Sequence, residues 1–194
     1  MLFRSGVGWA PGGGDWLARR AREGGVELEV LESIGLVGRQ DNGGWYDRFR
    51  DRVQFPIRNP RGQPVGFGGR ILPGSPAENR APKYYNSADS AIFSKSEQLF
   101  GIDLAREAAR VSGWLTIVEG YTDVVSMHQA GIENVVASSG TSLTKGQIRI
   151  IKRLSNNITV LYDGDTAGIK ASFRGIDLIL EEEMNVKVLL FPDG

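Results

Sequence analysis

The spacing of apolar positions along this chain changes near residue 100. Beyond that point, short unbroken apolar runs occur at Leu115 to Val118, Val135 to Ser138, Ile158 to Tyr162 and Val186 to Phe191. Between them lie stretches whose apolar residues recur every three or four positions: Ile102 to Ser112, Thr122 to Gln129, Thr144 to Leu154 and Thr166 to Met184. An unbroken run suits a strand buried on both faces, and the three-to-four spacing suits a helix with one apolar face. Strands alternating with helices predict a parallel sheet with right-handed crossovers. Gly113 and Gly131 stand where two of these helices should stop, and Thr144 with Gln147 has the spacing of a capping box.

The first hundred residues follow a different pattern. Val7 to Gly14 is rich in glycine and proline and reads as loop. Asp15 is the expected cap of a short helix that runs to Glu23, and Val26 to Ile34 reads as a weaker helix. Leu36–Gln40 and Trp45–Phe49 are expected strands joined through Asn42-Gly43, a hairpin signal. Arg52–Arg58 and Pro64–Leu72 form a second expected pair, turned by Asn59-Pro60-Arg61-Gly62. Gly66, Gly68 and Gly69 interrupt the later strand and mark a bulge or a close approach of backbone. Lys83 to Ser87 is polar, aromatic and extended. The expected organisation is therefore α/β, with a smaller mixed α+β part over residues 1–100 and an open parallel sheet flanked by helices over 101–194, its core at about 113–192.

Composition narrows the chemistry. The chain is 41% hydrophobic and 24% charged, an ordinary balance for a protein with a packed core. It has no cysteine and a single histidine, His128, which excludes disulfides, cysteine-based zinc sites and paired-histidine chemistry. No run approaches a membrane span, and the first residues lack the pattern of a signal peptide. The expectation is a cytoplasmic protein. Net charge is zero but unevenly spread: residues 39–95 carry ten Arg and Lys against five Asp and Glu, and the stretch beyond is acidic. A basic middle and an acidic end suit a protein that holds a polyanion in one part and cations in another.

The acids are placed with intent. The strand Leu115–Val118 delivers Glu119 to its C-terminal end, followed by Gly120, and the strand Ile158–Tyr162 delivers Asp163-Gly164-Asp165. Ligands of open parallel sheets bind outside the carboxyl ends of the strands. Three carboxylates there, without histidine or cysteine, form an oxygen donor set for a hard divalent cation such as Mg²⁺. Asp123 lies one helical turn past Glu119 and is a supporting or additional ligand candidate. Asp165 and Asp123 equally suit the first turns of helices, where a carboxylate caps free N–H groups.

At Glu119-Gly120-Tyr121-Thr122-Asp123 followed by Asp163-Gly164-Asp165, the chain resembles the Toprim domain of topoisomerases and primases. Four neighbouring segments resemble the catalytic core of bacterial replicative DNA primases: Arg52 to Arg58, Gly66 to Arg70, Pro82 to Ser87 and Ala137 to Ser142. Phe191 to Gly194 resembles the next motif of that family. The resemblance runs from about Gly8 to Gly194. It implies a Toprim domain with a Rossmann-like sheet behind a basic α+β subdomain, and a DNA-directed RNA polymerase that makes short RNA primers on single-stranded DNA from ribonucleoside triphosphates. It implies Glu119, Asp163 and Asp165 as catalytic ligands of Mg²⁺, with Mn²⁺ as a substitute. By the same resemblance Arg52, Arg70, Lys83, Tyr84, Asn86 and Lys95 belong to a template or nucleotide groove. Primases of this kind also carry a zinc-binding domain and a domain that contacts the replicative helicase, and neither is expected in these residues.

Two other classes share parts of this pattern. Another Toprim enzyme, a nuclease or topoisomerase, would share the acidic motifs but not the Phe-Gly-Gly-Arg or Pro-Lys-Tyr segments. A non-catalytic fragment that binds single strands would keep the basic residues and use the acids for structure. Ser138 to Ser142, small and polar after a strand, is an expected phosphate or metal-site support, and His128 is expected to be structural.

Overall fold

A computed structural model describes residues 6–76, 78–138, 142–162 and 175–190 of the chain. The chain divides into two compact units, one of residues 4–56 with 65–94, the other of residues 57–64 with 95–194.

In the first unit, β1 (Gly8–Ala10) pairs antiparallel with β4 (Arg52–Arg58), and β5 (Pro64–Ile71) and β6 (Tyr84–Asn86) complete a sheet of order β1-β4-β5-β6. The β1 stretch reads as loop in the sequence. Three residues that include a glycine give no alternation to detect, and the strand exists because its backbone groups meet those of β4. Two short helices, α1 (Trp16–Glu23) and α2 (Leu28–Ser33), pack through Ala18, Ala21 and Leu28 on Val37 of β2 (Val37–Arg39). β2 pairs with β3 (Trp45–Asp47) as an antiparallel hairpin, with Gly43 in the left-handed region at φ 82°.

Asp15 stands at the N-cap of α1 but makes no capping hydrogen bond. The cap comes from thirty residues away: Asp47, buried on β3, accepts from Leu17 N at 2.7 Å and Ala18 N at 3.1 Å. Asp15 instead reaches Arg19 in an exposed pair at 3.4 Å. The expected local cap is thus replaced by a tertiary one.

The second unit holds a five-stranded sheet of order β11-β10-β8-β9-β7. Its members are β7 (Leu99–Phe100), β8 (Leu115–Val118), β9 (Val135–Ser138), β10 (Asn157–Tyr162) and β11 (Asn185–Leu190). The pairs β8–β9, β8–β10 and β10–β11 are parallel, as the alternating pattern predicts. β7 pairs antiparallel with β9, with Leu99 opposite Ser138, so the sheet is mixed at one edge. Two residues are too short a run to announce a strand, and the sequence reading omits it. Helices α3 (Ile102–Ser112), α4 (Tyr121–Gln129) and α5 (Lys145–Lys152) alternate with the strands, and residues 175–181 are helical before β11. Every residue of β8 and β9 is buried, which explains their unbroken apolar character. Ile102, Ala105 and Ala109 of α3 and Ile148 and Ile151 of α5 close over Leu115, Ile117, Val136 and Ile158. Gly113 ends α3 at φ 70°, a backbone conformation that side chains with a Cβ rarely adopt. Among the described residues, no helix is long and apolar enough to cross a membrane.

Candidate active site and basic pocket

The parallel sheet sets up the acidic end. β8 and β10 run side by side with Leu115 opposite Ile158 and Ile117 opposite Val160. Two residues further in the same register bring Glu119 level with Tyr162. Val118 is buried and Glu119 is exposed, so the carboxylate emerges where the strand leaves the core. Tyr162 is buried at the end of β10. Burial first, and then the nearby negative charge of Glu119, pushes its hydroxyl up to about 12. Glu119 and the end of β10 are therefore electrostatic neighbours. Asp163 and Asp165, the other two predicted ligands, lie outside the described residues, as do Ser139 to Thr141 of the small polar loop and the Phe191 to Gly194 motif. Among the described residues no cluster of three or more metal-ligating side chains forms.

Asp123 has a defined structural task. Its Oδ2 accepts from Gly120 N at 2.9 Å across the first turn of α4, the helix-capping role open to it from sequence. His128, in the last turn of the same helix, donates from Nε2 to Val135 O at 3.2 Å. That ties the helix to β9 and leaves the nearby donor set all oxygen.

In the first unit, β5 and β6 carry the predicted basic and aromatic residues. Arg70 pairs with Tyr84 in the ladder, Gly69 with Tyr85 and Gly68 with Asn86. The guanidinium of Arg70 lies 5.6 Å from the Tyr84 ring centroid and Lys83 Nζ lies 6.0 Å from it. Among the described residues, Arg70 Nε is buried without a hydrogen-bond partner. Two cations thus converge on one exposed aromatic ring. Tyr85, the alternate residue, turns inward and packs edge-on against Phe49 at 5.1 Å. The interrupting glycines permit close packing. A Cβ at Gly66 would sit 2.8 Å from the Phe93 ring, and one at Gly69 would sit 3.0 Å from both Phe49 and Arg52. Lys95, by contrast, belongs to the second unit, in a 3₁₀ turn of Lys95–Glu97.

Arg52 is 4% exposed, unlike a residue of an open groove. Its Nη1 donates to Pro82 O at 2.9 Å, and its guanidinium lies 5.6 Å from the Tyr85 ring. Burial lowers its pKa, and Arg50 nearby adds to that direction. It lines a cavity of about 510 Å³ together with Arg48, Arg50, Arg80, Tyr46 and Asp51. None of the four arginines forms an ion pair among the described residues, so the cavity is strongly electropositive. The sequence reading does not place Arg48, Arg50, Tyr46 or Arg80 in a site. A signal was available: Arg48, Arg50 and Arg52 recur at every second position around buried Phe49, which concentrates positive charge in a short stretch.

These features agree with the comparisons. The sequence matches the model of the DNA primase catalytic core, N-terminal domain, over residues 2–106, and the Toprim-like model over residues 116–194. A curated DNA primase of Clostridium acetobutylicum is 43% identical over 196 aligned positions, covering 100% of this chain and 31% of the relative. The chain therefore spans about a third of the length of the curated relatives it matches. The crystal structure of the Aquifex aeolicus primase zinc-binding and RNA polymerase domains superposes with a TM-score of 0.90 at 37% identity, covering 98% of this chain and 46% of that one. A primase catalytic domain solved bound to single-stranded DNA superposes at 0.85 with 40% identity, covering 98% of this chain and 61% of that one. A family model that spans more than half of the chain and a fold shared along nearly its whole length give one answer: the chain belongs to the bacterial DNA primase family, as part of its catalytic core with a Toprim domain.

Proposed function

We propose that this chain carries the RNA-polymerising chemistry of a primase: metal-dependent nucleotidyl transfer from ribonucleoside triphosphates to make short RNA primers on single-stranded DNA. The observation that carries this reading is the emergence of Glu119 beside the end of β10, at the carboxyl edge of adjacent parallel strands. The donor chemistry fits Mg²⁺ or Mn²⁺: the exposed oxygen of Glu119, no cysteine in the chain, and a histidine already engaged with a backbone carbonyl. Glu119, Asp163 and Asp165 would hold the ion, with Asp123 fixing the turn that follows Glu119. A bound divalent ion supplies positive charge for the transferring phosphoryl group and lowers the pKa of the attacking hydroxyl.

The rest of the work falls to side chains of this protein. The arginine pocket and the Arg70–Lys83–Tyr84 cluster would hold phosphates, and the exposed Tyr84 ring offers a stacking face for a base. Asn86 would add an amide to that strand-binding edge, and Lys95 a further phosphate contact. The relative solved with single-stranded DNA supports the choice of ligand. In the cell the reading puts the chain on exposed template at a bacterial replication fork, with primer RNA as product.

The test is primer synthesis on single-stranded DNA with labelled ribonucleoside triphosphates and Mg²⁺ or Mn²⁺, using this chain and Asp163→Ala. Short RNA made only by the parent supports the reading. DNA cleavage without nucleotides would favour a nuclease, and strand binding without metal-dependent turnover would reduce the chain to a binding fragment.

A further inference from the structure

Among the described residues of the second unit, Gln147 is the most buried polar side chain, with no exposed surface. A capping box asks of it one contact, and it makes that one: its Oε1 accepts from Thr144 N at 3.1 Å, while its own N donates to Thr144 Oγ1 at 3.2 Å. Its amide nitrogen does something the box does not need. Nε2 donates to Lys95 O at 3.0 Å and to Gln98 O at 2.9 Å, across about fifty residues of sequence. Thr144 Oγ1 donates to Ser96 O between those two bonds. Gly146 lies under the same turn: a Cβ there would stand 2.7 Å from Ser96 O and 3.2 Å from Glu97 Cγ. The first turn of α5 therefore grips the backbone of residues 95–98 at three carbonyls, those of Lys95, Ser96 and Gln98. The far end of the segment is fixed by Leu99 and Phe100 pairing with Ser138 and Ala137 of β9. Both anchors belong to one strand–helix pair, β9 and α5.

We infer that Gln147 is a positioning residue for Lys95: the α5 clamp fixes the 3₁₀ turn so that Lys95 presents its ammonium to a phosphate of a bound single strand. The inference rests on the reading of Lys95 as a phosphate contact. Its physical content is simple. A lysine stem has four rotatable bonds and loses rotamer freedom on binding, so a fixed backbone beneath it lowers the cost of each encounter. Gln147→Met keeps the volume of the side chain and removes the amide, so the part-buried carbonyls of Lys95 and Gln98 lose the donor from Nε2 and Thr144 N loses its acceptor. Gly146→Ala keeps every polar group and displaces the turn by steric contact alone.

The experiment measures affinity for a fluorescein-labelled single-stranded DNA oligonucleotide at several salt concentrations, for the parent, Gln147→Met, Gly146→Ala, Lys95→Ala and the two double variants. Each single variant should weaken binding by about tenfold. Each should also reduce the slope of log K against log salt by about 0.7, the loss of one phosphate contact on a single strand. In the Lys95→Ala background, neither clamp variant should add a further loss or change the slope again. Parent-like affinity and slope in Gln147→Met and Gly146→Ala would overturn the inference. So would losses that multiply undiminished in the Lys95→Ala background, because a general packing defect does not depend on Lys95. If Gln147→Met does not fold by circular dichroism, Gly146→Ala decides alone. A Lys95→Ala variant that binds like the parent would overturn the reading of Lys95 itself, and the inference with it, an outcome separate from the other two.

Discussion

Replacing Asp47 by alanine should destabilise the first unit more than any exposed substitution nearby. The side chain is 2% exposed and its two oxygens serve as the N-terminal cap of α1, accepting from Leu17 N and Ala18 N. Alanine leaves both donors unpaired, and Ala18 N is buried. Loss of a cap costs about 1–2 kcal/mol. Removing a negative charge from the positive end of a helix adds about 0.3–1 kcal/mol, more where the site is partly buried. The two effects overlap, and together they give about 2–3 kcal/mol. For a chain of this size that is a fall in Tm of roughly 4–12 °C. Asp47→Asn keeps one acceptor oxygen and should lose about half as much. Asp15→Ala is the control. It stands at the cap position in sequence but makes no capping bond, and it should stay within about 0.5 kcal/mol of the parent. Thermal and urea denaturation followed by far-ultraviolet circular dichroism reads all three. Equal losses at Asp15 and Asp47, or an Asp47→Ala midpoint matching the parent, would refute the tertiary cap.

Three further outcomes are expected. Gly66→Ala forces a methyl to 2.8 Å from the buried Phe93 ring and should cost about 1–3 kcal/mol in urea denaturation, and a parent-like midpoint would show that the strand shifts freely. Arg48→Ala with Arg50→Ala should weaken single-strand binding and reduce its salt slope by about 1.4, whereas an unchanged slope would mean that the arginine pocket takes no phosphates. Burial raises the pKa of Asp103 against the opposing pull of its helix-end backbone and of Arg58. The folded state then holds the proton more tightly than the unfolded state, so stability from this group is full below the unfolded pKa and is lost as pH rises through the folded one. Asp103→Asn should accordingly be more stable than the parent at pH 7 and not below about pH 4, and unfolding midpoints at the two pH values check the sign.

What could be read from sequence depended on the range of the interaction. α3, β8 and β9 lie at their expected residues because each is specified by its own apolar spacing and, for α3, by the glycine that ends it. Thr144 and Gln147 close their capping box because both partners lie within one turn. β1 and β7 escaped because two or three residues carry no period, and their existence depends on strands far along the chain. The same limit hid the Asp47 cap and the bonds from Gln147 to Lys95 and Gln98, which join residues thirty and about fifty positions apart. In the candidate site, Glu119 could be located as the residue that ends a buried strand. Arg52 was identified as a cation, but its burial was not, because that depends on Pro82 and Tyr85 folding over it. Arg48 and Arg50 carried a legible two-residue spacing, hidden by the polar turn sequence on either side.

The segment that carries Lys95 has a further consequence for how the protein is made. The backbones of Lys95, Ser96, Gln98, Leu99 and Phe100 pair with residues downstream, between Ala137 and Gln147, and the Phe100 ring packs on Tyr121. On a ribosome that adds about 5–20 residues per second, roughly 2–10 s pass between the synthesis of this segment and that of its last anchor. During that interval the Lys95, Ser96 and Gln98 carbonyls lack their donors from Thr144 and Gln147. The 3₁₀ turn is therefore completed late in vectorial synthesis: until Gln147 is made, the Lys95 and Gln98 carbonyls lack the amide that holds them.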